Sequence, residues 1–240
     1  MTILHDKRVP LKYLDAIRKL SLNAELLPFD SGQSETAQAV YETILHHPDI
    51  FFCRLDKCTA IHAPGLPDEY IQCLKESGIE TIQGSEKPSG RYPGTAGYNV
   101  LCLGKTIFHN LEYSDPVITE TARKKGFKLI NIKQGYARCA AVIVNEDAVI
   151  TSDMGIADAV SGTGKDVIRI APGGVVLPGE AYGFIGGAST SGMEDGVIFM
   201  GDIKEHHNAR EIERFFSKHG QKYMALETLP LFDGGGLLVI

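Results

Sequence analysis

The chain has 240 residues, 43% of them apolar, which is enough for one compact domain with a substantial core. Its formal net charge of -6 is not offset by a basic block, so the composition disfavours direct nucleic-acid binding and favours a small ligand or a protein surface. No apolar run approaches the roughly 20 residues of a membrane span. The charged start predicts no signal peptide, and five cysteines without a CxxC pair indicate free thiols. We therefore expect a cytoplasmic protein that does not enter a membrane.

A short corner, in which a β-forming run meets a polar turn, recurs five times along the chain. The corners lie at residues 4–6, 61–63, 108–110, 151–153 and 200–202. The intervals between their middle residues are 57, 47, 43 and 49 residues. A period of this size indicates copies of one supersecondary unit.

Each unit is predicted to contain a β-hairpin, a helix and a third strand. The N-terminal part supplies a strand at residues 2–5, a helix at 11–20 and a strand at 25–29. Residues 30–47 are expected to be an insertion with a helix at 35–45, and residues 85–97 a loop rich in glycine and proline. Complete units are predicted at four places, residues 48–83, 94–132, 135–170 and 179–227. Their first strands are predicted at residues 50–55, 98–103, 140–144 and 182–187.

The two ends of the chain are predicted to complete one further unit. Residues 232–240 offer a lone strand, and residues 1–29 offer the helix and strands that it lacks. Pairing the first strand with the last removes two exposed sheet edges, which are an aggregation liability. We therefore expect a single domain of five units that spans residues 1–240.

Five ββαβ units with closure by the terminal strands resemble the pentein superfamily, over nearly the whole chain. The resemblance implies an α/β fold, specifically a five-fold pseudo-symmetric α/β propeller. It also implies two kinds of function. One is that of cysteine-dependent enzymes acting on guanidino groups, such as arginine deiminase, dimethylarginine dimethylaminohydrolase, agmatine deiminase and amidinotransferases. The other is that of a non-enzymatic ribosome anti-association factor, whose repeated corner the corners of this chain resemble. Fold alone does not choose between them.

The segments that lead into the first strands are expected to meet at the mouth of a central channel. Of these segments, only residues 134–139 supply a thiol, that of Cys139, which follows Arg138. A neighbouring cation favours the thiolate form that attacks electrophiles, so Cys139 is the candidate nucleophile. The small residues Ala140 and Ala141 beside it fit a buried, inert cysteine equally well.

A cysteine hydrolase also needs a proton donor and acceptor, and carboxylates that hold a guanidinium group. Among the corner histidines His5, His62 and His109, we select His109 as the proton donor and acceptor because it directly precedes the unit of Cys139. The presence of a histidine in three equivalent corners also fits a structural role for all of them. Six residues are predicted to bind substrate, three carboxylates and three amide or cationic side chains: Asp233, Asp49, Glu180, Arg138, Gln134 and Asn99.

One departure from the resemblance bears on the function. In the guanidino-modifying enzymes the nucleophilic cysteine usually lies in the last unit, after a glycine-rich segment, whereas residues 233–240 of this chain read DGGGLLVI. Two hypotheses follow. The chain is a cysteine-dependent hydrolase or transferase acting on a guanidino or amidino small molecule, or it is a non-catalytic ring that binds a protein or ribonucleoprotein partner. We expect no cofactor and no metal in either case, and a homo-oligomer is compatible with both.

Overall fold

A computed structural model describes residues 1–20, 23–32, 40–191 and 196–240, and these form a mixed α/β fold. The predicted helix at residues 35–45 lies partly outside this range, and its described part contains a 3-10 helix, Glu42–Ile44. None of the helices in the described part of the chain combines the length and the apolar character needed to cross a bilayer.

The N-terminal elements are β1 (Thr2–Asp6), α1 (Leu11–Lys19) and β2 (Glu25–Phe29). Their positions agree with the sequence prediction within one residue. β1 and β2 pair in parallel, and α1 connects them and buries Tyr13, Leu14 and Ile17 on one face. Side chains at these spacings share one side of a helix, so the apolar residues of α1 all face the core.

After the helical turn α2 (Pro48–Phe51), three sheets follow with a common plan. The elements of the first sheet unit are β3 (Phe52–Asp56), β4 (Thr59–His62), α3 (Asp68–Glu76) and β5 (Glu80–Gln83). Those of the second are β6 (Leu101–Leu103), β7 (Thr106–His109), α4 (Pro116–Lys124) and β8 (Lys128–Asn131). Those of the third are β9 (Ala141–Asn145), β10 (Ala148–Thr151), α5 (Met154–Ser161) and β11 (Asp166–Arg169). In each sheet the hairpin is antiparallel, and the last strand joins the second in parallel.

Helix α4 illustrates how the sequence sets these boundaries. The Asp115 side chain accepts a hydrogen bond from the backbone N–H of Val117 at 2.8 Å, and Pro116 occupies the first turn, where a missing N–H costs nothing. The helix ends before Gly126, whose φ of 76° is favourable for glycine. Both signals are visible in the sequence itself, as Asp115 directly before Pro116 and as Gly126 after two lysines.

The C-terminal part contains shorter strands and one helix: β12 (Val175–Val176), β13 (Thr190–Ser191), β14 (Val197–Phe199), α6 (Ala209–Lys218), β15 (Tyr223–Ala225), β16 (Leu231–Phe232) and β17 (Leu237–Val239). A 3-10 helix, Ile203–Glu205, precedes α6. β14 pairs with β15 in parallel, as β12 does with β16.

The predicted pairing of the two chain ends is confirmed. β17 lies antiparallel to β1, with Ile3 opposite Val239, in a sheet of order β13-β17-β1-β2. Thr2 and Ile240 exchange backbone hydrogen bonds of 2.9 and 2.8 Å. The first and last strands therefore satisfy the backbone hydrogen-bonding groups along each other's edges.

The strand predicted at residues 182–187 is wrong, because this segment forms a turn and the strand begins only at Thr190. The backbone there packs against the turn before β9: the N–H of Gly187 donates to the carbonyl of Cys139 at 3.0 Å. A Cβ on Gly186 would lie 2.4 Å from the carbonyl oxygen of Ala141. The glycines thus serve a close contact between backbones rather than a strand ladder.

Two other first strands start later than predicted. Pro48 begins the helical turn α2, so β3 starts at Phe52 rather than at residue 50. Residues 98–100 form a turn and its exit, so β6 starts at Leu101. The helical turn α2 carries Asp49, and the turn before β6 carries Asn99; a turn orients such side chains differently from a strand.

An aromatic cluster fixes α2. The ring of Phe29 lies 5.3 Å from that of Phe51, 5.4 Å from that of Phe52 and 5.0 Å from that of Tyr70. Burying each of these large side chains stabilises the fold by roughly 1.5–3 kcal/mol. The cluster holds the short turn that carries Asp49 in place.

Candidate active site around Cys139

Four polar side chains from distant parts of the chain meet where several turns converge. Asp49 lies in α2, Asn99 precedes β6, Cys139 precedes β9, and Asp233 follows β16. All four side chains are buried. The backbone N–H of Asp49 donates to the carbonyl of Gly235 at 3.3 Å, which links α2 to the turn that carries Asp233.

The thiol of Cys139 has two polar partners. Its Sγ donates a hydrogen bond to Oδ2 of Asp49 at 2.7 Å, and it accepts one from Nδ2 of Asn99 at 2.9 Å. A thiol that both donates to a carboxylate and accepts from an amide is held in one orientation. This environment differs from that of an inert cysteine that only fills apolar space.

Asn99 organises the site through its whole amide group. Its Oδ1 accepts from the backbone N–H of Cys139 at 3.0 Å, and its Nδ2 donates to the carbonyl of Asp49 at 3.3 Å as well as to the thiol. The amide is fully buried. It ties the Asp49 and Cys139 turns together, with the orientation of the amide set by these partners.

Burial dominates the electrostatics of the pair. It raises the pKa of Asp49 to about 7, assisted by the negative charge of Asp233 and opposed by the Cys139 hydrogen bond and the charge of Arg138. Burial, together with the charges of Asp49 and Asp233, also raises the pKa of the Cys139 thiol well above its ordinary value. Without a bound cation, the proton therefore resides on sulfur. Oδ1 of Asp49 has no hydrogen-bond partner among the described residues.

Arg138 places a cation next to this acidic cluster. Its guanidinium donates to the carbonyls of Ala141 and Gly186 at 3.3 and 3.2 Å, and to that of Ser189 at 3.3 Å. These contacts fix the turn on which Cys139 sits. The charge favours the ionised form of Asp49, which makes Arg138 an electrostatic neighbour of the pair rather than its direct partner.

Asp233 is held by backbone N–H groups and by glycines that leave room for it. Its Oδ2 accepts from Phe184 at 2.8 Å, and its Oδ1 accepts from Gly235 at 3.0 Å. A Cβ on Gly187 would lie 2.0 Å from Oδ1 of Asp233, and one on Gly183 would lie 2.5 Å from its Cβ. Glycine at both positions is therefore required for this carboxylate to occupy its place.

Cys139 and Asp233 line a cavity of about 560 Å3. Its wall includes five aromatic side chains: Tyr41, Tyr92, Tyr136, Tyr182 and Phe184. His47, Arg91 and Glu180 also line it, and of these Arg91 and Glu180 are exposed. The cavity thus joins a buried thiol and carboxylate to solvent through an aromatic passage.

The structure brings five of the predicted site residues together, namely Asp49, Asn99, Arg138, Cys139 and Asp233. Glu180 is separate from this group and belongs to the exposed part of the cavity wall. Gln134 points elsewhere, since its Nε2 donates to Asp153 and its Oε1 accepts from the backbone of Tyr136.

His109 is not brought to Cys139. Its Nε2 lies 2.6 Å from the carbonyl oxygen of Gly135, and its Nδ1 lies 2.6 Å from Oγ of Ser114. Because a carbonyl only accepts, Nε2 donates and Nδ1 accepts from the serine hydroxyl. Burial lowers the pKa of His109 to about 4, so the ring is neutral at physiological pH. The other corner histidines, His5 and His62, each donate through Nδ1 to the carbonyl of the next residue.

Sequence reasoning did not select His47 or the aromatic wall. His47 directly precedes Pro48 and Asp49 in one of the segments expected at the channel mouth, so its position was the available signal. Tyr136 and Tyr182 lie in two further segments of that kind. Tyr41 and Phe184 lie in no segment that leads into a predicted first strand, so no feature of the sequence singled them out. In the part of the chain that the structure describes, no three His, Cys, Asp or Glu side chains are arranged to hold a metal ion.

Comparison with solved structures shows a fold similar to those of several known enzymes. A dimethylarginine dimethylaminohydrolase adduct with 4-chloro-2-hydroxymethylpyridine has a TM-score of 0.52 at 12% identity, covering 95% of this chain and 92% of that one. A citrulline complex of a cysteine-to-serine mutant of the enzyme from Pseudomonas aeruginosa has a TM-score of 0.51 at 11% sequence identity, with the same coverage of both chains. The agmatine deiminase of C. jejuni has a TM-score of 0.53 at 12% sequence identity, and the match covers 94% of this chain and 75% of that one. At these identities the likeness concerns the fold.

The sequence itself places the chain in a family. Residues 6–238 match the model of a family of unknown function, DUF6873, and the chain belongs to that family. A comparison with curated proteins finds no match.

Proposed function

We propose that this chain is a hydrolase that acts on a guanidino or amidino small molecule, with Cys139 as its nucleophile. The observation that carries the proposal is the 2.7 Å contact between the Cys139 thiol and Asp49, at the wall of a cavity that a second buried carboxylate also lines. A thiol, an adjacent base and an open space beside them are the parts that nucleophilic catalysis requires.

The charges of the site suit a cationic head group. Asp49 and Asp233 are both buried. The charge of Asp233 disfavours ionisation of Asp49, and the charges of both carboxylates disfavour ionisation of the thiol, when no cation is present. A guanidinium or amidinium group beside Asp233 would offset this cost and form charge-assisted hydrogen bonds with the carboxylate. Its charge would also lower the pKa of the thiol, so that binding of the substrate would prepare the nucleophile.

The chemistry then follows from the Cys139–Asp49 contact. Sγ forms a bond to the central carbon of the guanidinium, and its proton passes to Asp49. Collapse of the tetrahedral adduct breaks one C–N bond, and the departing amine takes the proton from Asp49. Water attacks the remaining thiouronium carbon and gives one proton to Asp49. The C–S bond then breaks as the carbon-bound hydroxyl becomes the urea carbonyl, and the hydroxyl proton returns to the thiolate. The Asp49 proton passes to solvent, where the released amine takes it up as an ammonium ion. The net reaction converts a guanidinium and water into a urea and an ammonium ion.

The fold supports a wider proposal about architecture. Three sheets repeat one strand order, and β17 closes onto β1, as expected for a ring-like propeller of five units. In this proposal residues 232–240 and 1–29 form one unit. The others are residues 48–83, 94–132, 135–170 and 179–227, with insertions at 30–47 and 85–97. Cys139 then supplies the nucleophile from a unit other than the last.

Turnover of a panel of small guanidines and amidines tests the function. We expect release of ammonia or amine together with a urea product, and no release from the Cys139→Ala variant. The matched control is Cys58→Ala, which removes an exposed cysteine outside the site and should retain activity. Product that appears only when an acceptor amine is added would indicate an amidinotransferase instead. A panel without any turnover, with no cysteine that reacts selectively with amidines, would contradict the enzyme and favour a non-catalytic ring.

A further inference from the structure

The outer part of the cavity has a row of aromatic side chains. The ring of Tyr136 lies 5.3 Å from that of Tyr92 and 6.4 Å from that of Phe184, and all three residues line the cavity. The hydroxyl of Tyr136 is hydrogen-bonded to Oγ1 of Thr95 at 2.5 Å and interacts with that of Tyr41. These contacts hold the row in place before any ligand arrives.

The cavity is larger than a guanidino group requires. Its volume of about 560 Å3 lies within the range of roughly 300–1,000 Å3 that is typical of sites for drug-sized ligands. Beyond Cys139 and Asp233, the wall adds the aliphatic side chains of Ile44, Ile50 and Leu177 to the aromatic row. The space next to the reacting carbon is therefore bounded mainly by apolar surface.

The charged residues of the mouth do not select one sign of charge. Arg91 and Glu180 are both exposed, and they carry opposite charges. The guanidinium of Arg91 lies 4.9 Å from the centre of the Tyr41 ring, where a cation–π contact occupies it. A charged tail on the ligand would interact with groups that solvent screens, whereas an apolar tail would interact with the apolar part of the wall.

We propose that the substrate carries a flat aromatic group next to its guanidino or amidino carbon, as an arylalkyl guanidine does, rather than a linear amino-acid chain. This inference rests on the proposed function for its cationic head group only. The aromatic row lines the cavity with ring surface against which such a group can pack, and an aromatic pair contributes beyond the apolar area that it buries.

Calorimetric binding to the Cys139→Ala protein, which cannot turn over, tests this proposal. The ligands are benzylguanidine, butylguanidine and L-arginine, which share a guanidinium and differ in their tails. Benzylguanidine should bind at least about tenfold more tightly than either of the others. Adding Phe184→Leu or Tyr92→Leu should reduce that advantage to about threefold or less, by weakening benzylguanidine binding more than butylguanidine binding. Tyr223→Leu, which removes an aromatic ring outside the cavity wall, is the control and should preserve the advantage.

The outcomes separate this inference from the proposed function. Binding of L-arginine or butylguanidine as tight as that of benzylguanidine would overturn the aromatic substrate class and leave the guanidino head group intact. If the Cys139→Ala protein binds none of the three ligands, and the parent protein turns over no guanidine or amidine, both the substrate class and the proposed function are overturned.

Discussion

The thiol of Cys139 and the carboxylate of Asp49 form a 2.7 Å hydrogen bond, although 90 residues separate them in the sequence. The carboxylate is buried and has a pKa of about 7, and the pKa of the thiol is also raised. Near neutral pH Asp49 can therefore both take up and release a proton. A cation bound beside the pair would move that proton from sulfur to oxygen, which is the first step of nucleophilic attack.

Replacing Asp49 should change how stability depends on pH. Its pKa is about 7 in the fold and 3.8 as an ordinary aspartate, so between these values the folded chain keeps a proton that the unfolded chain loses. The contribution of Asp49 therefore falls as pH rises from about 4 to about 7, and above pH 7 the cost reaches up to about 4 kcal/mol. Asp49→Asn removes this cost.

Denaturant unfolding at pH 4.5 and at pH 8 measures the effect. The stability that Asp49→Asn gains relative to the parent, measured as the increase in the free energy of unfolding, should be larger at pH 8 than at pH 4.5. Asp15→Asn, which alters an exposed carboxylate, serves as the control. An Asp49→Asn difference that is the same at both values would contradict the raised pKa.

Asp233 should determine the preference for cationic reagents. Chloroacetamidine is a cation, and chloroacetamide is its neutral counterpart of similar size. In Asp233→Asn, the ratio of the two alkylation rates at Cys139 should fall at least about tenfold, because charge-assisted hydrogen bonds contribute roughly 1.5–3 kcal/mol. Mass spectrometry of the peptide that contains Cys139 gives both rates. An unchanged ratio would remove Asp233 from cation binding.

Gly187 should matter through the space it leaves for Asp233. A methyl group at this position would lie 2.0 Å from Oδ1 of Asp233, so Gly187→Ala should displace the carboxylate and lower the same ratio of rates. Gly126→Ala is the matched control: its φ is 76°, and nothing lies within 4 Å of the added methyl. It should cost about 1 kcal/mol of stability without changing the ratio. Equal ratios in the two variants would count against the displacement.

His109 should contribute to stability rather than to reaction with the thiol. In His109→Gln the buried groups of Ser114 and Gly135 lose their partner, which should cost roughly 1–3 kcal/mol in thermal or denaturant unfolding. The rate of Cys139 alkylation by chloroacetamidine should stay within about threefold of the parent. His62→Gln, at the equivalent corner, provides the comparison. A loss of alkylation of a hundredfold with native stability would restore the catalytic role predicted from the sequence.

Local signals in the sequence were sufficient for most of the fold. The cap at Asp115, the glycine at Gly126 and the apolar spacing of α1 are properties of neighbouring residues, so they predict helix boundaries without knowledge of the tertiary structure. The pairing of β1 with β17 followed from counting repeats. The segment at residues 182–187 failed because its glycines serve contact with the distant turn at Cys139, which no local pattern reports.

In the candidate site, too, the sequence predicted what depends on position along the chain and missed what depends on tertiary contacts. Asp49, Asp233 and Cys139 were found because they precede first strands, which a repeated fold gathers at one end. His109 was chosen by proximity in sequence, yet the direction of its ring depends on Ser114 and on the carbonyl of Gly135. Tyr41 and Phe184 join the wall through packing across the cavity. Side-chain direction and long-range packing are tertiary properties, so the sequence alone did not supply them.

Peptide mapping of the parent protein after limited reaction with chloroacetamidine or chloroacetamide tests the central claim most directly. The five cysteines differ in exposure: Cys58 is exposed, Cys73 and Cys102 are partly exposed, and Cys53 and Cys139 are buried. We expect chloroacetamide to modify Cys58 first, following exposure, and chloroacetamidine to modify Cys139 first, despite its burial. Modification of Cys58 first by both reagents, with Cys139 left intact, would contradict the assignment of Cys139 as the nucleophile of a guanidino-binding site.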